Sequence, residues 1–243
     1  MTQPPRGNGE FAWGRFDPDE YVAHYYGDPH PDDDEAVRRT SRALAASGRT
    51  DLEVVDVGTG PNLFPLFAAL PVAARLTAYE YAQSNVAWLQ RAVAGPLVPP
   101  WDHFWAVARD AHGAGPADPM PALAARTEVR QGSIHDLPAR AWDAATMFFC
   151  AESITERQDE FEAACRTFAG AVRPGGVLAA AFLAGSRGYR VAGEDFPAVR
   201  IGPAELEAAF ADCAAGVRIE AIGAGEEIRS GYSGMLLLTA RSA

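Results

Sequence analysis

The stretch LEVVDVGTGPNLF at residues 52–64 constrains the fold of this chain more than any other part of it. An apolar, β-branched run ends near Asp56, turns through Gly58 and Gly60 and continues into a second apolar segment. This pattern predicts a buried strand, a tight turn and the start of a helix. Glycine tolerates positive φ and lets a ligand approach the backbone. The turn is therefore expected to present free N–H groups at a helix N-terminus, which is typical of nucleotide sites.

The residues after the first glycine indicate which ligand the turn accepts. A dinucleotide-binding fingerprint requires a third small residue, and Leu63 takes its place. Pro61 lacks a backbone N–H and narrows the space for a pyrophosphate at the helix end. The turn therefore fits a ligand without phosphates, such as the amino-acid end of S-adenosylmethionine. The motif alone also leaves open a strand-turn-helix unit that binds no ligand.

Composition excludes several classes of protein. A chain of 243 residues, 48% of them hydrophobic, predicts a single α/β domain over residues 1–243, and no apolar run is long enough to span a membrane. The net charge of −11 opposes binding to nucleic acid. All 21 basic residues are arginine, so no lysine is present for Schiff-base chemistry. Cys150, Cys165 and Cys213 lack metal-ligand spacing, as do His103 and His112, which predicts reduced thiols, a cytoplasmic protein and no metal site.

The N-terminal part predicts a tail followed by lid helices over residues 11–47. Residues 1–10 are polar and rich in proline and glycine, so we expect them to be mobile and not a signal peptide. Asp17 precedes a helix on which Tyr21 and Tyr25 share one face, with Tyr26 beside them. This helix either docks on the core through its aromatic residues or closes over a flat ligand. The acidic run that follows is most simply a solvated helix start.

Alternating strands and helices predict a sheet with a ligand-binding edge. Glu80 ends the second expected strand, at a spacing from the glycine turn that suits a ribose ligand. Residues 95–126 interrupt the alternation and are interpreted as an insertion near the pocket. After the first strand, the expected strands are residues 75–80, 127–131, 142–149, 177–183, 217–224 and 233–240. The expected helices include residues 33–47, 155–172 and 203–213.

These motifs resemble, in the right order, those of class I S-adenosylmethionine-dependent methyltransferases: residues 55–61, Glu80 and residues 173–176. More narrowly, the chain resembles the nicotinamide, phenylethanolamine and thioether methyltransferase family. The narrower markers are residues 16–18, Tyr21, Tyr25, Tyr26, residues 58–61, Glu80, Tyr81, Asn85, residues 149–152 and residues 189–194. The resemblance implies an α/β fold: a Rossmann-like, seven-stranded, mostly parallel sheet with an antiparallel last strand, helices on both faces and an N-terminal helical lid.

The resemblance also implies S-adenosyl-L-methionine as cofactor and a role for each matched residue. Tyr21 and Tyr26 would hold its carboxylate, Glu80 its ribose, and Asn85 would also meet the carboxylate. The implied cofactor-binding set is Tyr21, Tyr26, Asp56, Gly58, Thr59, Gly60, Asn62, Glu80, Tyr81, Asn85, Ser133, Ile134, Phe149 and Cys150. Tyr25 and Glu152 match positions that face the acceptor.

Two departures from the family pattern bear on specificity. Relatives have an acid before the adenine-binding residue, where this chain has Gly132, which leaves the adenine amino group to Ser133 or the backbone. Relatives also place a carboxylate near the acceptor amine, in a segment where this chain has Arg187 and Arg190. These arginines are assigned to the acceptor site, and they predict an acceptor with an anionic or strongly electron-rich group.

Methyl transfer from a sulfonium is an in-line displacement that requires alignment and exclusion of water more than a catalytic dyad. We therefore expect methyl transfer to a small-molecule acceptor, foremost at nitrogen, with S- or O-transfer open. A phenol acceptor would require a base, for which Glu152 and His135 are the candidates. A non-catalytic adenosyl-binding module is the alternative from another class, and Pro61 and Leu63 disfavour a nicotinamide-dependent dehydrogenase. The expected assembly is a monomer or a weak dimer.

Overall fold

A seven-stranded sheet forms the centre of the protein, in a computed structural model that describes residues 4–223 and 231–243. The strands of the described residues are β1 (Leu52–Val57), β2 (Ala73–Glu80), β3 (Thr127–Gln131), β4 (Trp142–Phe148), β5 (Val172–Leu183), β6 (Tyr189–Val191), β7 (Glu194–Phe196), β8 (Ala214–Ile222) and β9 (Met235–Ser242). β6 and β7 pair with each other outside the seven-stranded sheet. The helices are α1 (Pro18–Tyr25), α2 (Pro31–Ala45), α3 (Phe64–Ala69), α4 (Gln83–Ala94), α5 (Trp101–His112), α6 (Met120–Arg126), α7 (Gln158–Gly170) and α8 (Pro203–Phe210).

The strand order of this sheet is β3-β2-β1-β4-β5-β9-β8, which confirms the Rossmann-like prediction. β1 pairs in parallel with both β2 and β4, whereas β9 runs antiparallel between β5 and β8. The order of the strands reverses beside β1, and in open α/β sheets such a reversal opens a crevice at the carboxyl ends of the strands. The glycine turn after β1 lies at this edge.

The core has a layer on each face of the sheet, because side chains of a strand alternate between its two sides. Val54 packs with residues of α2, α3 and α5, whereas its neighbour Val55 packs with residues of α7 and α8. This arrangement confirms the prediction of helices on both faces. No helix in the described part of the chain combines the length and apolar character needed to cross a membrane.

Residues 95–126 form α5 and α6, and they extend the core instead of walling the pocket as expected. Trp101 and Phe104 are buried, and their rings contact the ring of Tyr26 with centroids 5.7 and 6.1 Å apart. The insertion therefore supports an aromatic side chain of the lid from behind.

The N-terminal segment is ordered by specific contacts from residue 6 onward, which differs from the mobile tail expected for residues 1–10. The guanidinium of Arg6 lies 2.8 Å from the carboxylate of Glu156, and the backbone N–H of Asn8 donates to Glu160 over 2.8 Å. Residues 1–3 lie outside the described residues, as does residue 224 of the strand expected at 217–224.

Several element boundaries differ from the sequence predictions. β5 begins at Val172, five residues earlier than expected, because the Arg-Pro-Gly-Gly segment at 173–176 forms a bulge and pairing continues on both sides of it. The short hairpin of β6 and β7 was not predicted. Its strands have three residues each, which is too short for an alternating pattern to stand out.

Candidate functional site

A cleft opens at the carboxyl edge of the sheet, beneath α1. It encloses about 760 Å³ of empty space, with its open mouth included. Its lining consists of Asn8, Trp13, Phe16, Tyr21, Tyr26, Gly58, Thr59, Gly60, Pro61, Asn62, Tyr79, Glu80, Tyr81, Asn85, Gly132, Ile134, Phe148, Phe149, Cys150, Ser153, Ile154 and Tyr189. The cleft thus brings together most of the expected cofactor-binding residues, which lie far apart in sequence.

The glycine turn after β1 forms the floor of the cleft. Gly58 has a φ of +64° and Gly60 a φ of +61°, which other residues adopt only with strain. A Cβ added at Gly58 would overlap the sulfur of Cys150 and lie 2.7 Å from its Cβ. Position 58 therefore requires glycine for its backbone conformation and for the close approach of the loop after β4. The expected free N–H at the start of α3 is capped, since Phe64 donates to the side chain of Asn62.

The carboxylate of Glu80 connects the end of β2 to the glycine turn. It is 6% exposed and accepts hydrogen bonds from the backbone N–H groups of Gly60 and Ala82, at 2.8 and 2.7 Å. Burial raises the pKa of Glu80, and these backbone donors oppose the shift. A buried carboxylate at the wall of a cleft offers its remaining lone pairs to hydroxyl groups of a ligand.

Asn85 and Tyr81 complete the part of the cleft around Glu80. The side-chain oxygen of Asn85 is buried and has no hydrogen-bond partner among the described residues, while its Nδ2 donates to Glu80 over 3.4 Å. This orientation suits a donor on the ligand, such as a hydroxyl or an ammonium, instead of the cofactor carboxylate expected from the sequence. Tyr81 is 45% exposed at the mouth. The N–H groups of Gly58 and Thr59 donate to the carbonyl of Tyr79, so the turn offers close approach instead of free donors. This close approach, a buried carboxylate and an unpartnered buried acceptor together fit an adenosyl amino-acid ligand.

Asp56 lies beneath the cleft and does not line it, in contrast to the binding role expected from the sequence. Thr146 on β4 donates to its Oδ1 over 2.7 Å, and the hydroxyl of Thr59 donates to its backbone carbonyl over 3.1 Å. Burial raises the pKa of the Asp56 carboxyl to about 7, with the nearby charge of Glu80 in the same direction. Asp56 therefore joins β1 to β4 and supports the turn from below.

The raised pKa of Asp56 predicts a specific pH dependence of stability. Between about pH 4, where an unfolded aspartate releases its proton, and pH 7, the folded state keeps this proton, so the free energy of unfolding falls as pH rises. As the pH rises from 5 to 8, we expect the free energy of unfolding to fall by about 2 to 3 kcal/mol less in Asp56→Asn than in the wild type. Urea denaturation at both pH values measures the difference. Equal losses in the two proteins would contradict this assignment.

The lid helix α1 is fixed over the cleft by contacts at both of its sides. Tyr21 lines the cleft, and the hydroxyl of Tyr26 accepts a hydrogen bond from the side chain of Asn62 over 3.1 Å. Asp19 accepts from the indole N–H of Trp88 on α4 over 3.0 Å. The cleft-lining residues Asn8, Trp13 and Phe16 were not predicted from the sequence as site residues. The density of aromatic residues before α1 was a signal that could have indicated Trp13 and Phe16.

A second space, called the inner cavity here, lies on the other side of the lid tyrosines. It encloses about 710 Å³ of empty space with its mouth included. The inner cavity is lined by Tyr21, His24, Tyr25, Tyr26, Asp28, His30, Asp33, Phe149, Leu183 and Met235. Tyr25, expected to face the acceptor, lines this inner cavity and not the cleft.

Phe149 borders both the cleft and the inner cavity. Its φ of +54° is unusual for a residue other than glycine and costs about 1 to 2 kcal/mol. The backbone is held in this conformation in part by the hydrogen bond from Phe149 N to Ala181 O, at 2.8 Å. Strained residues of this kind are concentrated at functional sites, and this one separates two ligand-sized spaces.

The two candidate bases and the two arginines expected at the acceptor lie outside the cleft and the inner cavity, as do Asp56 and Ser133. Glu152 is fully buried and accepts the backbone N–H of Leu183 over 3.0 Å, and half-buried His135 lines neither space. Arg187 and Arg190 are exposed in a surface groove that shares His24 and Tyr25 with the inner cavity. Arg190 is engaged there by the carboxylate of Asp195 at 3.4 Å. Neither candidate base nor either arginine therefore contacts the inner cavity.

Comparison with known proteins identifies the family. A model of the NNMT/PNMT/TEMT family matches residues 8–242. The chain belongs to this family. A search of curated protein sequences finds no significant match.

Solved structures similar to this family member share its fold. Burkholderia thailandensis 1,6-didemethyltoxoflavin-N1-methyltransferase, with 1,6-didemethyltoxoflavin and S-adenosylhomocysteine bound, is 19% identical over 100% of this chain and 93% of that chain, with a TM-score of 0.58. The N-methyltransferase NodS from Bradyrhizobium japonicum WM9, in complex with S-adenosylhomocysteine, is 13% identical over 88% and 89% of the chains, with a TM-score of 0.56.

Family membership makes the protein an S-adenosylmethionine-dependent methyltransferase, with S-adenosyl-L-methionine as its cofactor. This confirms the resemblance seen in the sequence.

Proposed function

We propose that the protein transfers a methyl group to a nitrogen of a small molecule held in the inner cavity. The observation that carries this proposal is the shared wall: Tyr21, Tyr26 and Phe149 line both the cleft and the inner cavity. An acceptor in the inner cavity would therefore lie next to a ligand in the cleft. Direct adjacency is what an in-line displacement requires.

When bound, S-adenosylmethionine would supply an electrophilic methyl group. A bond from the acceptor nitrogen to the methyl carbon would form as the methyl–sulfur bond breaks, with its electron pair staying on sulfur and the amine proton released to solvent. The lid tyrosines and Phe149 exclude water from the space between cofactor and acceptor. Cys150 lines the cleft, and burial raises the pKa of its thiol well above the usual value, so it is uncharged and does not compete as a nucleophile.

The charges of the inner cavity favour a nitrogen acceptor. Asp33 is 5% exposed and Asp28 lines the same space, and no arginine is among the described lining residues. Carboxylates beside aromatic rings favour amines and N–H-bearing rings. We therefore revise the acceptor class from the anionic one expected from Arg187 and Arg190, which lie in another groove.

Transfer to oxygen would require a base in contact with the hydroxyl group. The two bases expected from the sequence, Glu152 and His135, line neither the cleft nor the inner cavity. His30 lines the inner cavity, but its Nδ1 accepts the backbone N–H of Asp32 over 3.2 Å and is therefore unavailable to take a proton. His24 and the carboxylates of Asp28 and Asp33 also line the inner cavity, so the preference for N-transfer rests on the charge of the lining and not on the absence of a base.

The test of this proposal is a screen with methyl-labelled S-adenosylmethionine against panels of amines, N-heterocycles, thiols and phenols. We expect label in the nitrogen compounds. With the best acceptor, Asp33→Asn is expected to raise KM about 10- to 100-fold, because a hydrogen bond to a charged group is lost.

The matched control for Asp33 is Asp34→Asn. Asp34 follows in the same helical turn, lies outside the inner cavity and pairs with His103 at 2.7 Å. We expect this variant to keep the wild-type KM. Label only in thiols or phenols, or equal effects of the two variants, would contradict the proposed acceptor class. Tight cofactor binding without transfer to any panel would support a non-catalytic module instead.

A further inference from the structure

Tyr79 lines the cleft at its β3 end, although the sequence assigned it no role. It lines the cleft together with Gly132 and Ile134, which follow β3. A Cβ added at Gly132 would overlap the Tyr79 hydroxyl and lie 2.8 Å from its Cε1. The tyrosine hydroxyl therefore occupies the space that a side chain at position 132 would need.

The backbone fixes this juxtaposition. Tyr79 pairs with Arg130 across β2 and β3, and the N–H of Gly132 donates to the carbonyl of Glu80 over 2.9 Å. Tyr79 and Glu80 are consecutive residues at the end of β2, and both line the cleft. A group that binds ribose at Glu80 would thus have its base close to the Tyr79 hydroxyl.

Ser133, the side chain expected at the adenine amino group, is committed elsewhere. Its hydroxyl accepts the backbone N–H of His135 over 3.2 Å, and Ser133 does not line the cleft. Ile134 contributes an apolar wall. Because Gly132 has no side chain, Tyr79 supplies a polar side-chain atom beside it at this end.

We infer that the hydroxyl of Tyr79 recognises the adenine of the cofactor by accepting a hydrogen bond from the exocyclic amino group. A phenol oxygen can accept such a bond as a carboxylate does. Burial raises the pKa of Tyr79, with Asp136 adding to the shift and Arg130 opposing it, so the hydroxyl stays protonated at neutral pH. The inference concerns the cofactor and does not depend on the acceptor.

The test is calorimetry with S-adenosylhomocysteine and with its purine-riboside analogue, which has a hydrogen where adenine has its amino group and so offers the hydroxyl neither a donor nor an acceptor. We expect the wild type to bind the adenosyl ligand more tightly. Tyr79→Phe is expected to bind S-adenosylhomocysteine about three- to tenfold more weakly, because one neutral hydrogen bond is lost. The variant is also expected to lose most of the preference for this ligand over the analogue. A structural role of the tyrosine would change both affinities equally.

Tyr232→Phe is the matched control. Its hydroxyl donates to Asp32 over 3.2 Å, and Tyr232 lies outside the cleft, so the preference is expected to stay at the wild-type value. The exchange variant Tyr79→Ala/Gly132→Asp is expected to regain the preference, because the acid then has room. Equal binding of both ligands by the wild type, or an unchanged preference in Tyr79→Phe, would overturn the inference. Binding of neither ligand would instead contradict the cofactor site as a whole.

Discussion

Replacement of Glu80 by glutamine is expected to weaken the binding of S-adenosylhomocysteine about 30- to 100-fold. The buried carboxylate accepts two backbone N–H groups and lines the cleft where we place the ribose. Glutamine keeps the shape but loses the charge, so hydrogen bonds from ribose hydroxyls to a charged acceptor, together worth about 2 to 3 kcal/mol, are lost. Its amide N–H would also face the N–H groups of the turn. Isothermal titration of both proteins measures the change.

Glu53→Gln controls for the loss of a carboxylate from the sheet. Glu53 lies on β1, is half-exposed and pairs with Arg173 at 3.0 Å. Because Glu53 lies away from the cleft, we expect the affinity of the Glu53→Gln variant for S-adenosylhomocysteine to match that of the wild type. An affinity of Glu80→Gln within about twofold of the control would contradict the ribose assignment, since such a difference is below the value of one hydrogen bond.

Gly58→Ala is expected to lower the melting temperature by about 5 to 15 °C and to abolish measurable cofactor binding. The left-handed backbone costs alanine about 1 to 2 kcal/mol, and the contact with Cys150 adds about 1 to 3 kcal/mol of overpacking. Moving the loop after β4 away from the added methyl would displace Phe149 as well. Thermal unfolding followed by circular dichroism, with calorimetry on the folded variant, measures both effects.

Gly60→Ala separates the cost of the left-handed backbone from the cost of the packing conflict with Cys150. Gly60 has nearly the same φ, but a Cβ there would have its nearest neighbour at 3.9 Å. We expect it to cost only the conformational penalty, about 1 to 2 kcal/mol. Adding Cys150→Gly to Gly58→Ala removes the neighbouring side chain and is expected to restore part of the melting temperature. If Gly60→Ala were as destabilising as Gly58→Ala, close packing of the turn on Cys150 would not explain the requirement for glycine.

The glycine turn and Glu80 were predictable from the sequence, because local chemistry determines them. Positive φ at Gly58 and Gly60 follows from residue type, and the position of Glu80 follows from the length of a strand. The same holds for the parallel sheet, since alternating strands and helices permit few topologies.

Residues whose environment depends on distant parts of the chain were assigned less well. The acidic run at the start of α2 was interpreted as solvated, yet Asp32 and Asp33 are buried, because α2 packs under the sheet at its first turn. Asp56 ends a strand as ligand-binding acids do, but Thr146 on a neighbouring strand holds it beneath the cleft. Tyr79 was missed because its role depends on the absence of a side chain at Gly132, a neighbour only in the folded sheet.

The account depends most on one claim: the cleft between the glycine turn and Glu80 holds the adenosyl group, with the acceptor beyond Phe149. A crystal structure with S-adenosylhomocysteine tests it most directly. We expect both ribose hydroxyls within hydrogen-bonding distance of the Glu80 carboxylate, the sulfur beside Phe149 and the inner cavity free of the ligand. A ligand bound elsewhere, or with its ribose away from Glu80, would contradict the account.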